Sequence, residues 1–96
     1  MSVTNRVTEK VRLAAGRKMG PDGIIRRVAD EDEIDRWAAA TFREDVGKKF
    51  LAYLKSITIG NLLGPGASDN ELRHMEGQRY LVALIERRVE NGRRQQ

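Results

Sequence analysis

The chain has one histidine and no cysteine, and few side chains of catalytic type fall close enough together to act as a unit. His74 lies near the middle of an apolar helical arc with only Glu71 or Gln78 beside it, whereas a general base or a metal ligand needs companions. A buried or interface histidine held by one hydrogen bond is therefore the expected state. The run Asp30-Glu31-Asp32-Glu33 offers hard-cation ligands but lacks the glycine and spacing of a calcium loop, and helix capping accounts for it. The glycine-rich loop from Gly60 to Gly66 lacks the Gly-Lys-Ser/Thr ending of a phosphate-binding loop, and Asp69 and Glu71 after it would repel an anion. Trp37, Phe42, Phe50 and Tyr53 recur at helical spacing, as core residues do, rather than as a base-stacking platform. With no nucleophile beside a base, the sequence predicts no enzymatic activity, no metal, no cofactor and no small-molecule substrate.

The strongest functional candidates are the basic residues Arg6, Lys10, Arg12, Arg17, Lys18, Arg26 and Arg27. They crowd into residues 1–29 against only Glu9 and Asp22, and residues 30–45 reverse the balance with seven acids against Arg36 and Arg43. The net charge of +4 hides this polarity. Such an arm can contact DNA, can contact the acidic block of a neighbouring subunit, or can be a solvated helix face. If it holds phosphates, binding should fall steeply with salt. No helix-turn-helix signature shows which element would enter a groove.

The elements that would position these groups centre on residues 68–92. Ser68 and Glu71 have the form of a capping box and start a helix. Leu72, Met75, Tyr80-Leu81-Val82, Leu84-Ile85 and Val89 continue it, and Asn91-Gly92 is the expected stop, with Arg87 and Arg88 at the negative end of the dipole. At 100° per residue, His74, Met75, Gly77, Gln78, Leu81, Val82, Leu84, Ile85 and Val89 share an arc of about half the circumference. That is wider than one neighbouring helix covers, so these residues form the expected helix-packing or oligomer face. Gly77 in mid-helix costs about 1 kcal/mol against Ala, and a close backbone crossing is the simplest reason for it.

Upstream, Val3, Val7, Val11 and Ala14 suggest a small helix near residues 5–18. Gly20-Pro21-Asp22-Gly23 is a turn signal, and Ile24, Ile25 and Val28 form a docking patch rather than a strand. Asp30 and Glu33 predict a capped helix over about 31–40 with Ile34, Trp37 and Ala38 inward. Thr41 and Glu44 repeat the capping pattern, favouring a break near Thr41. Val46, Phe50, Tyr53, Leu54 and Ile57 then share one face of a helix over about 43–57, with Leu51 and Gly47 at its edge. A short glycine-rich connection makes this helix and the last one antiparallel neighbours.

The resulting expectation is an all-α fold: an antiparallel helical hairpin with shorter N-terminal helices, assembling as an oligomer. It divides into a basic segment 1–29, a helical domain 30–92 and a frayed tail 93–96. Ninety-six residues with 40% hydrophobic and 33% charged content suit one small domain with a thin core. The lack of cysteine leaves no disulfide scaffold, and no apolar run approaches a membrane span.

From Phe42 to the end of the last helix the chain resembles a small family of tailed-bacteriophage proteins named after an open reading frame of a Bordetella podovirus, the Bbp19-like family. The resemblance rests on Phe42, Gly47, Leu51 and Leu54, then on Glu76-Gly77-Gln78-Arg79 with Leu81-Val82 and Ile85. It covers residues 42–90, about half the chain. It implies a virion or assembly role in or near the portal, the tail or the internal ejection apparatus, with other phage structural proteins as partners and no catalytic residues to transfer. The particle, or the cytoplasm of the infected bacterium, is then the expected location. Two alternatives stand beside it: a DNA-packaging adaptor similar to a small terminase subunit, binding DNA through the basic arm, and a host-directed regulator that covers a bacterial protein.

Overall fold

The computed structural model describes residues 16–95, and the predicted helix near residues 5–18 lies almost wholly outside them. The described chain opens with a β-hairpin. Strand β1 (Arg17–Met19) pairs antiparallel with β2 (Ile25–Arg27), with Arg17 opposite Arg27, Lys18 opposite Arg26 and Met19 opposite Ile25. The predicted turn closes it: Gly23 N–H donates to Gly20 O at 2.9 Å, and Gly23 adopts φ +82°, which glycine takes without a steric penalty. The fold is therefore helix-dominated but not all-α, and Ile25 is a strand residue. Cations directly opposite one another destabilise a ladder. Three of these four are neutralised by acids from the turn and the next helix: Lys18 by Asp32, Arg26 by Asp22 and Glu31, and Arg27 by Asp30.

Strand β2 runs without a break into helix α1 (Val28–Thr41). Asp30 is spent on Arg27, from which it accepts hydrogen bonds of 2.9 and 3.1 Å, so the predicted Asp30/Glu33 capping box does not form and the helix begins earlier than expected. It does end at Thr41, whose hydroxyl turns back to the Trp37 carbonyl at 2.8 Å instead of capping the next helix. Its inward face is Glu31, Asp35 and Ala39, flanked by half-buried Ile34 and Ala38, while Trp37 points outward with 59% of its surface exposed. Helix α2 (Asp45–Ile57) follows, its entry set by Gly47, where an added Cβ would stand 2.7 Å from the Thr41 carbonyl oxygen.

Helix α3 (Asp69–Arg94) is the longest element, and the Ser68/Glu71 capping box starts it with both hydrogen bonds at 3.1 Å. Its C-terminal half packs along α1. The crossing is at Gly92, where a Cβ would lie 2.2 Å from the Asp35 carbonyl oxygen and 2.6 Å from the Ala39 Cβ. Gly92 is thus the close-approach glycine and remains helical, so the helix continues to Arg94 rather than stopping; Gly77, which was expected at a crossing, faces open space. Gln95 then ties the end of the chain to α1, accepting from Arg36 and donating to the Asp32 carbonyl, each at 3.1 Å.

The anticipated pairing of α2 with α3 is not where burial lies. No residue of α2 is fully buried, and an open groove of about 710 Å³ separates its Leu51 from Glu86, Val89 and Glu90 of α3. The buried hydrophobic core comprises Ala39, Val82 and Val89. The backbone is flattened, extending 46 × 40 × 14 Å along its principal axes. Its radius of gyration of 16.6 Å exceeds the roughly 12–13 Å of a compact chain this long.

Candidate functional site

Two features of the structure bear on function: a buried charge network between α1, α3 and the hairpin, and the uncovered apolar face of α2. The network is built around Arg88. One of its guanidinium nitrogens lies 3.0 Å from both Glu31 Oε2 and Asp35 Oδ1, and the other lies 3.5 Å from Asp22 Oδ2. Arg26 completes it, donating to Asp22 at 2.7 Å and to Glu31 at 3.1 Å. Glu31 is only 1% exposed, and Gly20 makes room for it, since a Cβ there would fall 1.9 Å from its carboxylate. Every buried side-chain nitrogen and oxygen among the described residues has a hydrogen-bond partner.

Electrostatics follow from this geometry. The hydrogen bonds from Arg26, reinforced by the Ile24 backbone N–H, hold the Asp22 carboxyl at about 2, well below the usual carboxylate range. Burial opposes the charge on Arg88, but its hydrogen bonds to Glu31 and Asp35 outweigh that cost and its pKa is raised. A carboxylate so held does not accept a proton near neutrality, and Arg88 cannot release one. The network locks α1, α3 and the hairpin together through paired charges.

A second polar device joins α2 to α3. Arg79 donates from Nε to the Thr58 carbonyl at 3.1 Å and from Nη2 to the Asn61 carbonyl, and it pairs with Glu76 at 3.7 Å. It thereby braces the turn after α2, adding a donor to the Thr58 carbonyl, which also accepts from Asn61 N–H at 3.2 Å. Lys55 and Glu86 add an ion pair of 2.8 Å. Within Glu76-Gly77-Gln78-Arg79, then, Arg79 fastens the loop after α2 with Glu76 paired beside it, while Gln78 and His74 meet each other on the surface at 3.3 Å.

A protein-family model, described as that of the Bbp19-like phage proteins, matches residues 26–95, from β2 to the end of the last helix. The chain belongs to that family. The match extends the resemblance seen in the sequence upstream through α1, and so takes in Arg26, Glu31, Asp35 and Arg88 of the charge network. No curated protein and no solved structure matches the chain. No helix among the described residues of this Bbp19-like protein is long and apolar enough to cross a membrane.

The sequence-derived sites separate in the Bbp19-like fold. Of the basic residues, Arg6, Lys10 and Arg12 lie outside the described chain; Lys18, Arg26 and Arg27 are engaged by acids of the same protomer, and Arg17 is exposed on β1. Of the arc on α3, Val82 and Val89 are buried, Met75, Leu84 and Ile85 are half-buried, and His74, Gly77, Gln78 and Leu81 are exposed. Arg88 was missed as a site residue. Its signal was available, because at 100° per residue it falls between Leu84 and Ile85, inside the apolar arc, where a charge requires an opposite charge.

Proposed function

We propose that this phage protein is a non-enzymatic structural or assembly component of the tailed-phage particle, in the portal, tail or internal ejection region, and that it works as a helical homo-oligomer. The observation that carries this reading is the inversion of its apolar surface. Ala39, Val82 and Val89 make the buried core, whereas Trp37, Val46, Phe50, Tyr53, Leu62 and Leu81 are among the large apolar residues left outside. These side chains stay exposed among the described residues, and large exposed apolar surface marks an interaction site.

The alternative, a DNA-packaging adaptor that grips DNA through its basic arm, requires those cations to be available. Lys18, Arg26 and Arg27 are instead held by Asp32, Asp22, Glu31 and Asp30. The DNA reading would then rest on Arg6, Lys10, Arg12 and Arg17.

Quantitative mass spectrometry of purified, DNA-filled particles tests the virion assignment. Peptides from this chain should appear in fixed proportion to the other structural proteins. Abundance in infected cells combined with absence from filled particles overturns it.

A further inference from the structure

We infer that the outer stripe of α2 is covered by α2 of a second copy of this chain, the two helices lying antiparallel about a two-fold axis. The inference rests on the proposed homo-oligomer and names its contact. The apolar arc of α2 is divided by the fold: Gly47, Leu51 and Leu54 are half-buried toward their own chain, and Val46, Phe50, Tyr53 and Ile57 form a separate line. Their exposures of 81%, 56%, 53% and 44% show that nothing in the described chain covers that line.

The spacing of the stripe identifies its occupant. Intervals of four, three and four residues give the narrow seam that one helix presents to one other helix. The same intervals read identically in either direction, so a two-fold axis sets Val46 against the partner's Ile57 and Phe50 against the partner's Tyr53 in register. The antiparallel arrangement also brings the positive end of each helix dipole beside the negative end of the other. It places Lys49, which flanks the stripe, near the partner's Ser56 rather than near another cation, while Lys48 and Lys55 point away. Phe50 and Tyr53 already adjoin, their ring centroids 5.8 Å apart and their planes tilted by 36°, as one aromatic patch.

The area is of the right order for self-association. With the two aromatic side chains offering roughly 150–250 Å² each and the two aliphatic ones rather less, the exposed fractions leave about 400 Å² of apolar surface on the stripe. That is about half of the roughly 800 Å² each partner contributes to a standard interface, and polar residues along the rim supply the remainder. An interface of this size lies at the weak end of the stable range, and a dissociation constant on the order of micromolar is the expected outcome.

The 96-residue chain lacks cysteine, so single cysteines report the pairing directly. Equimolar V46C and I57C chains, oxidised together, should give a mixed disulfide dimer, while V46C alone should stay largely uncrosslinked. Sedimentation equilibrium should show dimers for the unmodified chain, and at least a tenfold weaker association for F50K/Y53K with unchanged helical circular dichroism. Cross-linking of V46C to itself in preference to I57C, or a unmodified chain that stays monomeric at 100-fold above the expected micromolar constant, overturns the inference. So does a chain that dimerises only after residues 2–15 are deleted, because its own N-terminal segment would then be the cover. Dimerisation through α2 by a protein absent from particles sinks the virion reading alone; a virion protein whose F50K/Y53K variant still associates sinks only this contact.

Discussion

Replacing Arg88 with Met removes the centre of the charge network while keeping a long side chain in place. Asp35 then loses the guanidinium 3.0 Å away that is its hydrogen-bond partner, and Glu31, 1% exposed, keeps only Arg26. Breaking a buried ion pair from one side typically costs about 3–5 kcal/mol, because the remaining charge is left without compensation. A domain of this size has only about 5–15 kcal/mol in total, and each kcal/mol moves the melting temperature of a chain this long by about 4–8 °C. R88M should therefore melt at least about 12 °C below the parent protein by far-ultraviolet circular dichroism. A companion variant, R88M/E31L/D35L, turns the same volume apolar and should recover most of the loss, since well-packed hydrophobic replacements of buried ion pairs are often neutral or stabilising. If R88M costs less than about 1 kcal/mol, or the triple variant is no more stable than R88M, the network is not the clamp described here.

Three further outcomes follow from other contacts. Gly92→Ala should destabilise by about 2–3 kcal/mol, because its Cβ meets the Asp35 carbonyl and Ala39, whereas Gly77→Ala should gain up to about 1 kcal/mol; urea titrations of the two variants should move in opposite directions. Asp22 has a folded pKa of about 2 against an ordinary 3.8, so its contribution is complete above about pH 4 and is lost as pH falls through 2. Asp22→Asn should accordingly be less stable than the parent at pH 7 and lose less between pH 4 and 2, and parallel stability profiles would contradict the assignment. Arg79→Ala should release the carbonyls of Thr58 and Asn61, and limited proteolysis should then cut between residues 58 and 66 several-fold faster without abolishing the fold.

Signals carried by a few neighbouring residues were readable in the sequence. Ser68 with Glu71, the Gly20 to Gly23 turn, the break near Thr41 and the amphipathic span of α2 are all local, and each appears in the structure. Pairings between distant residues were not readable in the same way. Arg88 meets Glu31 across 57 positions, and helical periodicity shows that a residue faces inward without showing which acid will meet it. Glycine misled for a related reason: an unusual glycine in a helix signals that something comes close, but only the crossing of α1 and α3 distinguishes Gly92 from Gly77. The capping patterns at Asp30 and Thr41 failed because Arg27 and the Trp37 carbonyl competed for the same side chains. The family resemblance was legible from α2 onward, and α1 was the part of it that escaped notice.

Trp37 is the sole tryptophan, and it stands on the outer side of α1 in contact with solvent. Its emission in the isolated protomer should be close to that of a hydrated indole, so denaturant should change the wavelength of maximum fluorescence little even as the helices melt. Docking of another molecule over that side of α1 would shift the same emission to the blue. The chain thus carries an intrinsic optical probe that is nearly blind to folding and sensitive to being covered.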